Sequence, residues 1–275
     1  MDDDKHLDMG QYDPEKYWDA RARSGKGQGF SAICVNNAIA EENESAHKVQ
    51  RSAIKRILND LMISGKNVLE YGCGIGRWVS LFERYGVEWH GVDISKEMIE
   101  TARQEHPKAE LKLVDEKIPY PDNSMDLVYS VTVIHHNRYP DQEKILGEIH
   151  RVLREDGHFI MLEDLGEGEG YNMFPRTRDS WIDIARGNGF ELRHHIGLKY
   201  WIIRDLLQHF FGKMGTGIKS VYNDEGMVRG QMSIKMIMRK IIGKVDATLD
   251  PALYRVIPRK YHTTAVFLFQ KTTYK

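Results

Sequence analysis

The chain has 275 residues, with 39 Lys plus Arg against 40 Asp plus Glu, and two cysteines. That length buries a sizeable core, as one domain with an elaborated cap or as two domains. Near-neutral charge builds in no overall attraction to nucleic acid or membrane, the cysteines give no disulfide framework, and no apolar run reaches the roughly eighteen residues of a membrane span. A cytoplasmic protein is the expectation. Met1 to Lys5 is acidic rather than signal-like and looks partly like a cleavage-site remnant, so it is given no function.

Asp13 to Arg23 reads as a short helix and the glycine-rich Ser24 to Phe30 as a loop. Ser45 to Met62 has the helix period, with Val49, Ile54, Ile57 and Leu61 on one face. Alternation follows: strand 67–71, helix 75–85, strand 88–93, helix 95–105, strands 110–114 and 126–131, helix 141–154, strand 158–163. A helix ending near Asn188, strand 190–196 and a last strand at His262 to Gln270 complete the pattern. Strands alternating with helices predict an α/β fold with a doubly wound, mostly parallel sheet. Between the last two strands Lys199 to Pro258 is too long for a bare loop, so a helical insertion is expected, with helices at Trp201 to Phe211 and Ser233 to Ile242.

The informative run is Val68-Leu69-Glu70-Tyr71-Gly72-Cys73-Gly74-Ile75-Gly76-Arg77, followed by Gly91-Val92-Asp93-Ile94-Ser95. It reads as a strand, a glycine turn, a helix start and a second strand ending in an acid. Glycines let the backbone turn sharply and approach a ligand, and an acid in a crevice of its own at the tip of the second strand accepts bonds from both ribose hydroxyls. Dinucleotide binding requires G-x-G-x-x-G/A. Counted from Gly72 the third small position is Arg77, and from Gly74 it is Val79, so the spacing fails. Glu70 stands where a pyrophosphate would meet a negative charge and a cationic amino group would find a partner.

With Val114-Asp115-Glu116, Ser124-Met125-Asp126-Leu127-Val128, His135-His136 and Glu148-Ile149-His150-Arg151-Val152-Leu153 in order, the chain resembles the class I S-adenosylmethionine-dependent methyltransferases over roughly residues 45–197 and the last strand. The resemblance implies a Rossmann-like seven-stranded sheet whose final strand is antiparallel, and S-adenosyl-L-methionine as cofactor. It places Glu70 by the methionyl part, Asp93 at the ribose and Asp115 at the adenine, among cofactor contacts that take in Gly72, Gly74, Gly76, Ile94, Glu116 and Ser130. The segment Tyr12 to Trp18 is similar to one that folds over the cofactor in small-molecule and glycan methyltransferases, which brings in Tyr17 or Trp18; a helix merely packed on the core is the alternative. Arg51 either supplies a guanidinium to the cofactor carboxylate or is an ordinary surface arginine. The implied organisation is an N-terminal cap segment 1–44, a cofactor-binding core 45–197, a substrate cap 198–258 and the final core strand 259–275.

Candidates for removing a proton from an amine or hydroxyl acceptor sit at strand ends: His135, His136, Glu163 and, beside it, Asp164. Adjacent histidines at a helix start also serve structural roles. No metal-chelating spacing occurs. Residues 196–275 carry fourteen Lys plus Arg against five Asp plus Glu, a balance of +9, leaving −10 elsewhere. This is either a solvated cationic face or a site for an anionic acceptor touched by Arg229, Lys235, Arg239, Lys240, Arg255 or Arg259. A basic amphipathic helix resting on a membrane is a variant. The expected acceptor is a small molecule, a sugar or a lipid-linked compound. Nucleic acid calls for a wide basic face, absent from the core, and the fourth-strand end Ser130-Val131-Thr132-Val133 lacks the N/D-P-P-Y/F signature of nucleobase and glutamine amino methylation. The alternatives are an RNA or protein methyltransferase and a non-catalytic cofactor-binding protein.

Overall fold

The computed structural model describes residues 12–24, 40–213 and 234–272. It divides into two compact units, one of residues 1–33, 57–196 and 264–275, the other of 34–56 and 197–263. The predicted loop at 25–30 lies outside the described residues.

The first unit holds a seven-stranded sheet in the order β3-β2-β1-β4-β5-β7-β6, formed by β1 (Asn67–Tyr71), β2 (Glu88–Asp93), β3 (Glu110–Leu113), β4 (Met125–Val131), β5 (Leu153–Asp164), β6 (Phe190–Leu198) and β7 (Thr264–Lys271). β1 pairs parallel with β2 and β4, and β7 runs antiparallel to β5. Helices α1 (Pro14–Ser24), α2 (Ala40–Leu58), α3 (Val79–Phe82), α4 (Lys96–Glu105), α5 (Tyr139–Val152) and α6 (Arg178–Gly187) alternate with the strands or precede them. Val68, Leu69, Val128, Phe159 and Phe267 are fully buried, as strands covered on both faces require. Two helix starts follow from sequence: Ser95 caps α4 by accepting the Met98 N–H at 3.2 Å, and Thr177 caps α6 by accepting that of Ser180 at 3.2 Å.

The expected helix at 75–85 is shorter than its pattern. Gly74 and Gly76 have φ of 52° and 83°, which holds the chain in a turn, and only Val79–Phe82 is α-helical before a 3₁₀ turn at Glu83–Tyr85.

The second unit contains most of α2 with α7 (Ile202–Lys213) and α8 (Ile234–Leu253), so the described part of the insertion is largely helical, and α8 runs eleven residues past the predicted end at Ile242. Its interior is polar at one point. Asp250 accepts from Ser45 Oγ at 2.7 Å and from the backbone N–H groups of Trp201 at 2.6 Å and Ile202 at 3.1 Å, while Asp246 accepts from that of Ile203 at 2.8 Å. Two acids of α8 thus satisfy the open N–H groups at the start of α7. Arg239 makes two bonds to Glu42, at 2.9 and 2.7 Å, and Glu42 is 2% exposed. Arg229 and the Lys235 side chain lie outside the described residues.

Candidate functional site

Parallel strands ending side by side leave a crevice at their C-terminal edge. Here the ends of β1, β2 and β4, with the residue after β3, open onto a cavity of about 780 Å³ including its mouth, built wholly from the first unit. The wall from β1 and its turn is Glu70, Gly72, Cys73, Gly74 and Arg77. β2 supplies Asp93 and Ile94, Val114 follows β3, and Val131 to Val133 with Asn137 form the wall on the β4 side. Pro14 and Trp18 of α1 face the cavity as well.

The turn is fixed by sterics and by bonds. Gly72 has φ 75°, and a Cβ there would lie 2.4 Å from a Val133 methyl, so only glycine lets β1 and the β4 end close on each other. Gly72 and Cys73 donate to the Val92 carbonyl at 2.8 and 2.9 Å. Asp93 does not have the crevice to itself: it is 8% exposed, and its Oδ2 accepts the Gly74 N–H at 2.7 Å while Oδ1 accepts that of Ser95 at 2.9 Å. Each oxygen keeps a second lone pair for a ligand. Burial raises the Asp93 pKa to about 6, against the pull of those two bonds.

Glu70 is 2% exposed, and its Oε2 accepts from Tyr129 OH at 2.6 Å, which itself accepts from Trp89 Nε1 at 2.8 Å. Burial pushes its pKa to about 8; the Tyr129 bond and the charge of Arg77 only partly offset this. A buried acid facing a cavity, whose ionised form burial disfavours, is stabilised as a carboxylate by an incoming positively charged group.

The remaining predicted residues lie elsewhere. Gly76 belongs to the turn, but a Cβ there would meet the His106 ring at 2.5 Å, not the cavity. Asp115 and Glu116 are exposed beyond Val114, and Ser130 is fully buried within β4. Tyr17 packs edge-on against Tyr12, Trp18 and Tyr171, leaving Trp18 as the residue of that pair that faces the cavity. Arg51 is part of the second unit.

Of the proton-accepting candidates, His135 and Glu163 are buried, while His136 and Asp164 are partly exposed. Glu163 accepts the backbone N–H groups of Val133 at 3.3 Å, Ile134 at 2.9 Å and His135 at 3.2 Å, and is bonded also by His135 Nδ1. Burial opposes the imidazolium of His135, but the Glu163 carboxylate outweighs it and raises the pKa. His136 Nδ1 donates to the Asn172 carbonyl at 2.7 Å, and burial with the neighbouring His135 lowers its pKa to about 3. His136 is therefore a neutral ring with Nε2 as an acceptor, and a weak base. Among the described residues no group of three or more metal-ligating side chains occurs, and no helix is long and apolar enough to cross a membrane.

Sequence reasoning did not single out Thr132, Val133 or Asn137. Thr132 has φ 56°, rare for a β-branched residue, and that strain at the end of β4 leaves no mark on the sequence.

Residues 69–161 match a family model described as a methyltransferase domain. The chain is 34% identical over 123 residues to the uncharacterized methyltransferase YcgJ of Bacillus subtilis, covering 41% of this chain and 48% of that protein. It is 35% identical over 103 residues to the fatty-acid O-methyltransferase of Mycolicibacterium smegmatis, covering 36% of this chain and 37% of that protein. The chain thus spans less than half the length of these curated relatives. Its fold is similar to that of phosphoethanolamine N-methyltransferase 2 from Haemonchus contortus in complex with S-adenosyl-L-methionine, with a TM-score of 0.58 at 17% identity, covering 98% of this chain and 61% of that one.

Proposed function

We propose that the chain is a class I S-adenosylmethionine-dependent methyltransferase that transfers a methyl group from S-adenosylmethionine to a small-molecule, sugar or lipid-linked acceptor. The observation that carries the cofactor is Glu70, a buried acid left facing the cavity two residues before a turn that only Gly72 can make. Glu70 would take the α-amino group, Arg77 the carboxylate, and Asp93 the ribose hydroxyls through its spare lone pairs. Ile94, Met98 and Val114 would give the adenine an apolar wall.

When bound, the cofactor supplies a methyl group made electrophilic by its sulfonium. What the chain must do is hold a nucleophile in line about 3 Å from that carbon and keep water out. Trp18 and Pro14 screen the cavity on the α1 side. His135 and Glu163 hold the 3₁₀ turn 134–136 in shape, and through it the β4-side wall. A small or lipid-linked acceptor agrees with the acceptor named for the M. smegmatis relative.

The test is calorimetric titration with S-adenosylmethionine, S-adenosylhomocysteine and NAD, followed by labelled methyl transfer into lipid, small-molecule, RNA and protein fractions. Binding of the first two without NAD, and label in the lipid or small-molecule fraction, is expected. Binding of NAD alone, or label confined to RNA or protein, overturns the reading.

A further inference from the structure

On the β4 side of the cavity, Asn137 is a lining polar side chain that the described residues leave half used. Its backbone N–H donates to the Ile134 carbonyl at 3.0 Å, and its backbone carbonyl accepts from Gln142 Nε2 at 2.9 Å. Its side-chain Nδ2 donates to the Val133 carbonyl at 3.0 Å and reaches that of Ile134 at 3.5 Å. Those contacts fix which way the amide faces, because only the NH₂ group can bond to a carbonyl. Oδ1 is left as an acceptor, and among the described residues no group donates to it. The residue lines the cavity.

Its position is held from behind. Gln142 is fully buried and spans Asn137 and the Phe174 carbonyl, the latter at 2.8 Å, while its own Oε1 accepts from Arg176 Nε at 2.7 Å. The strained backbone at Thr132 sets Val133 against Gly72 and points the Val133 carbonyl at Asn137. Strain of this kind persists where surrounding contacts over-determine the geometry, and it clusters at functional sites.

Sheet order locates the residue relative to the ligand. Val114 stands at the β3 end, Asp93 at β2, Glu70 at β1, and Asn137 beyond β4. A cofactor with its adenine by β3 and its amino group by β1 leaves Asn137 on the side where the acceptor enters. The lining polar side chains at that end are Asn137, with Oδ1 as an acceptor, and Thr132, whose hydroxyl proton is given to the Val131 carbonyl at 2.7 Å so that its oxygen is likewise left as an acceptor. They match an incoming N–H or O–H.

We propose that Asn137 Oδ1 accepts a hydrogen bond from the atom that is methylated, so that the acceptor presents an N–H or O–H group, with Gln142 as the positioning residue behind it. The proposal rests on the methyl-transfer reading above. In the transfer the acceptor lone pair forms the new bond to carbon, the C–S electrons stay on sulfur, and S-adenosylhomocysteine is the product. A neutral amine keeps its proton and takes over the positive charge, whereas a hydroxyl releases its proton to solvent.

The test needs no acceptor. Sinefungin carries an amine where S-adenosylmethionine carries its methylsulfonium, so it presents an N–H at the transfer position, and S-adenosylhomocysteine presents none. Wild-type protein should bind sinefungin about tenfold to a hundredfold more tightly than S-adenosylhomocysteine, one charge-assisted hydrogen bond's worth. Asn137→Ala should bring that ratio to about one while leaving S-adenosylhomocysteine affinity within about threefold. If the alanine variant does not fold, Asn137→Leu, which keeps the volume, is read the same way. A ratio equal in wild type and variant overturns the proposal, as does a parallel loss of both affinities, which would make Asn137 a cofactor or structural residue. Failure of wild type to bind S-adenosylhomocysteine overturns the methyl-transfer reading itself, and this inference with it.

Discussion

Asp93 and Gly74 are joined directly: the carboxylate of the β2 acid accepts the backbone N–H of the turn at 2.7 Å. The ribose acid and the turn beside it are therefore one structural unit, and a change at either is felt by both.

Asp93→Ala removes a ligand contact and also leaves the N–H groups of Gly74 and Ser95 without partners. The expected loss is about 1–3 kcal/mol of cofactor affinity, with a smaller loss of stability. Asp93→Asn keeps one acceptor oxygen for the turn, so it should recover stability before affinity. Titration with S-adenosylhomocysteine alongside urea unfolding checks both, and equal affinity in wild type and Asp93→Ala would remove Asp93 from the site.

The Glu70 pKa of about 8 makes cofactor binding depend on pH. Near pH 7 the free protein holds Glu70 mostly protonated, whereas a cationic amino group favours the carboxylate, so binding releases a proton. Affinity should rise from pH 6 to pH 8 and level off above it, and Glu70→Gln should flatten the profile. Calorimetry in buffers of different ionisation enthalpy counts the proton. In the absence of ligand the sign reverses for stability. Glu70 and Asp93 both have raised pKa values, so their contribution is complete below about pH 4 and declines as pH passes about 6 and then about 8.

Gly72→Ala should abolish cofactor binding by displacing Val133, since the added methyl meets a side-chain carbon at 2.4 Å. Adding Val133→Ala relieves the clash but not the φ of 75°, so the double variant should regain only part of the affinity. Full recovery would show that backbone conformation plays no part in the turn.

Glu163 bonds three backbone N–H groups and His135, and is fully buried. Glu163→Ala should cost about 3–5 kcal/mol of stability, because several donors lose their partner together. His135→Ala should fold and still bind S-adenosylhomocysteine. A kcat that falls a hundredfold in a stable His135→Ala would give that histidine a chemical role as well as a structural one.

In the second unit Arg239 neutralises the buried Glu42, so Arg239→Gln should destabilise by about 3 kcal/mol regardless of any ligand.

The sequence by itself determined the order and type of the elements, because apolar strand runs and helix periods are local patterns that survive in one dimension. It also determined Glu70, Gly72, Gly74 and Asp93 as a cluster, since strand, turn and next strand end fall close together along the chain. What only the tertiary structure decided is who shares a space. Asn137 and Thr132 gained their places from the closing of β4 against the glycine turn, and Asp93 and Arg239 turned out to be bound by partners 19 and 197 residues away. Asp115 and Glu116 show the converse: one residue beyond Val114 the chain has already left the cavity for solvent, a change of direction set by backbone angles that the side-chain pattern does not encode.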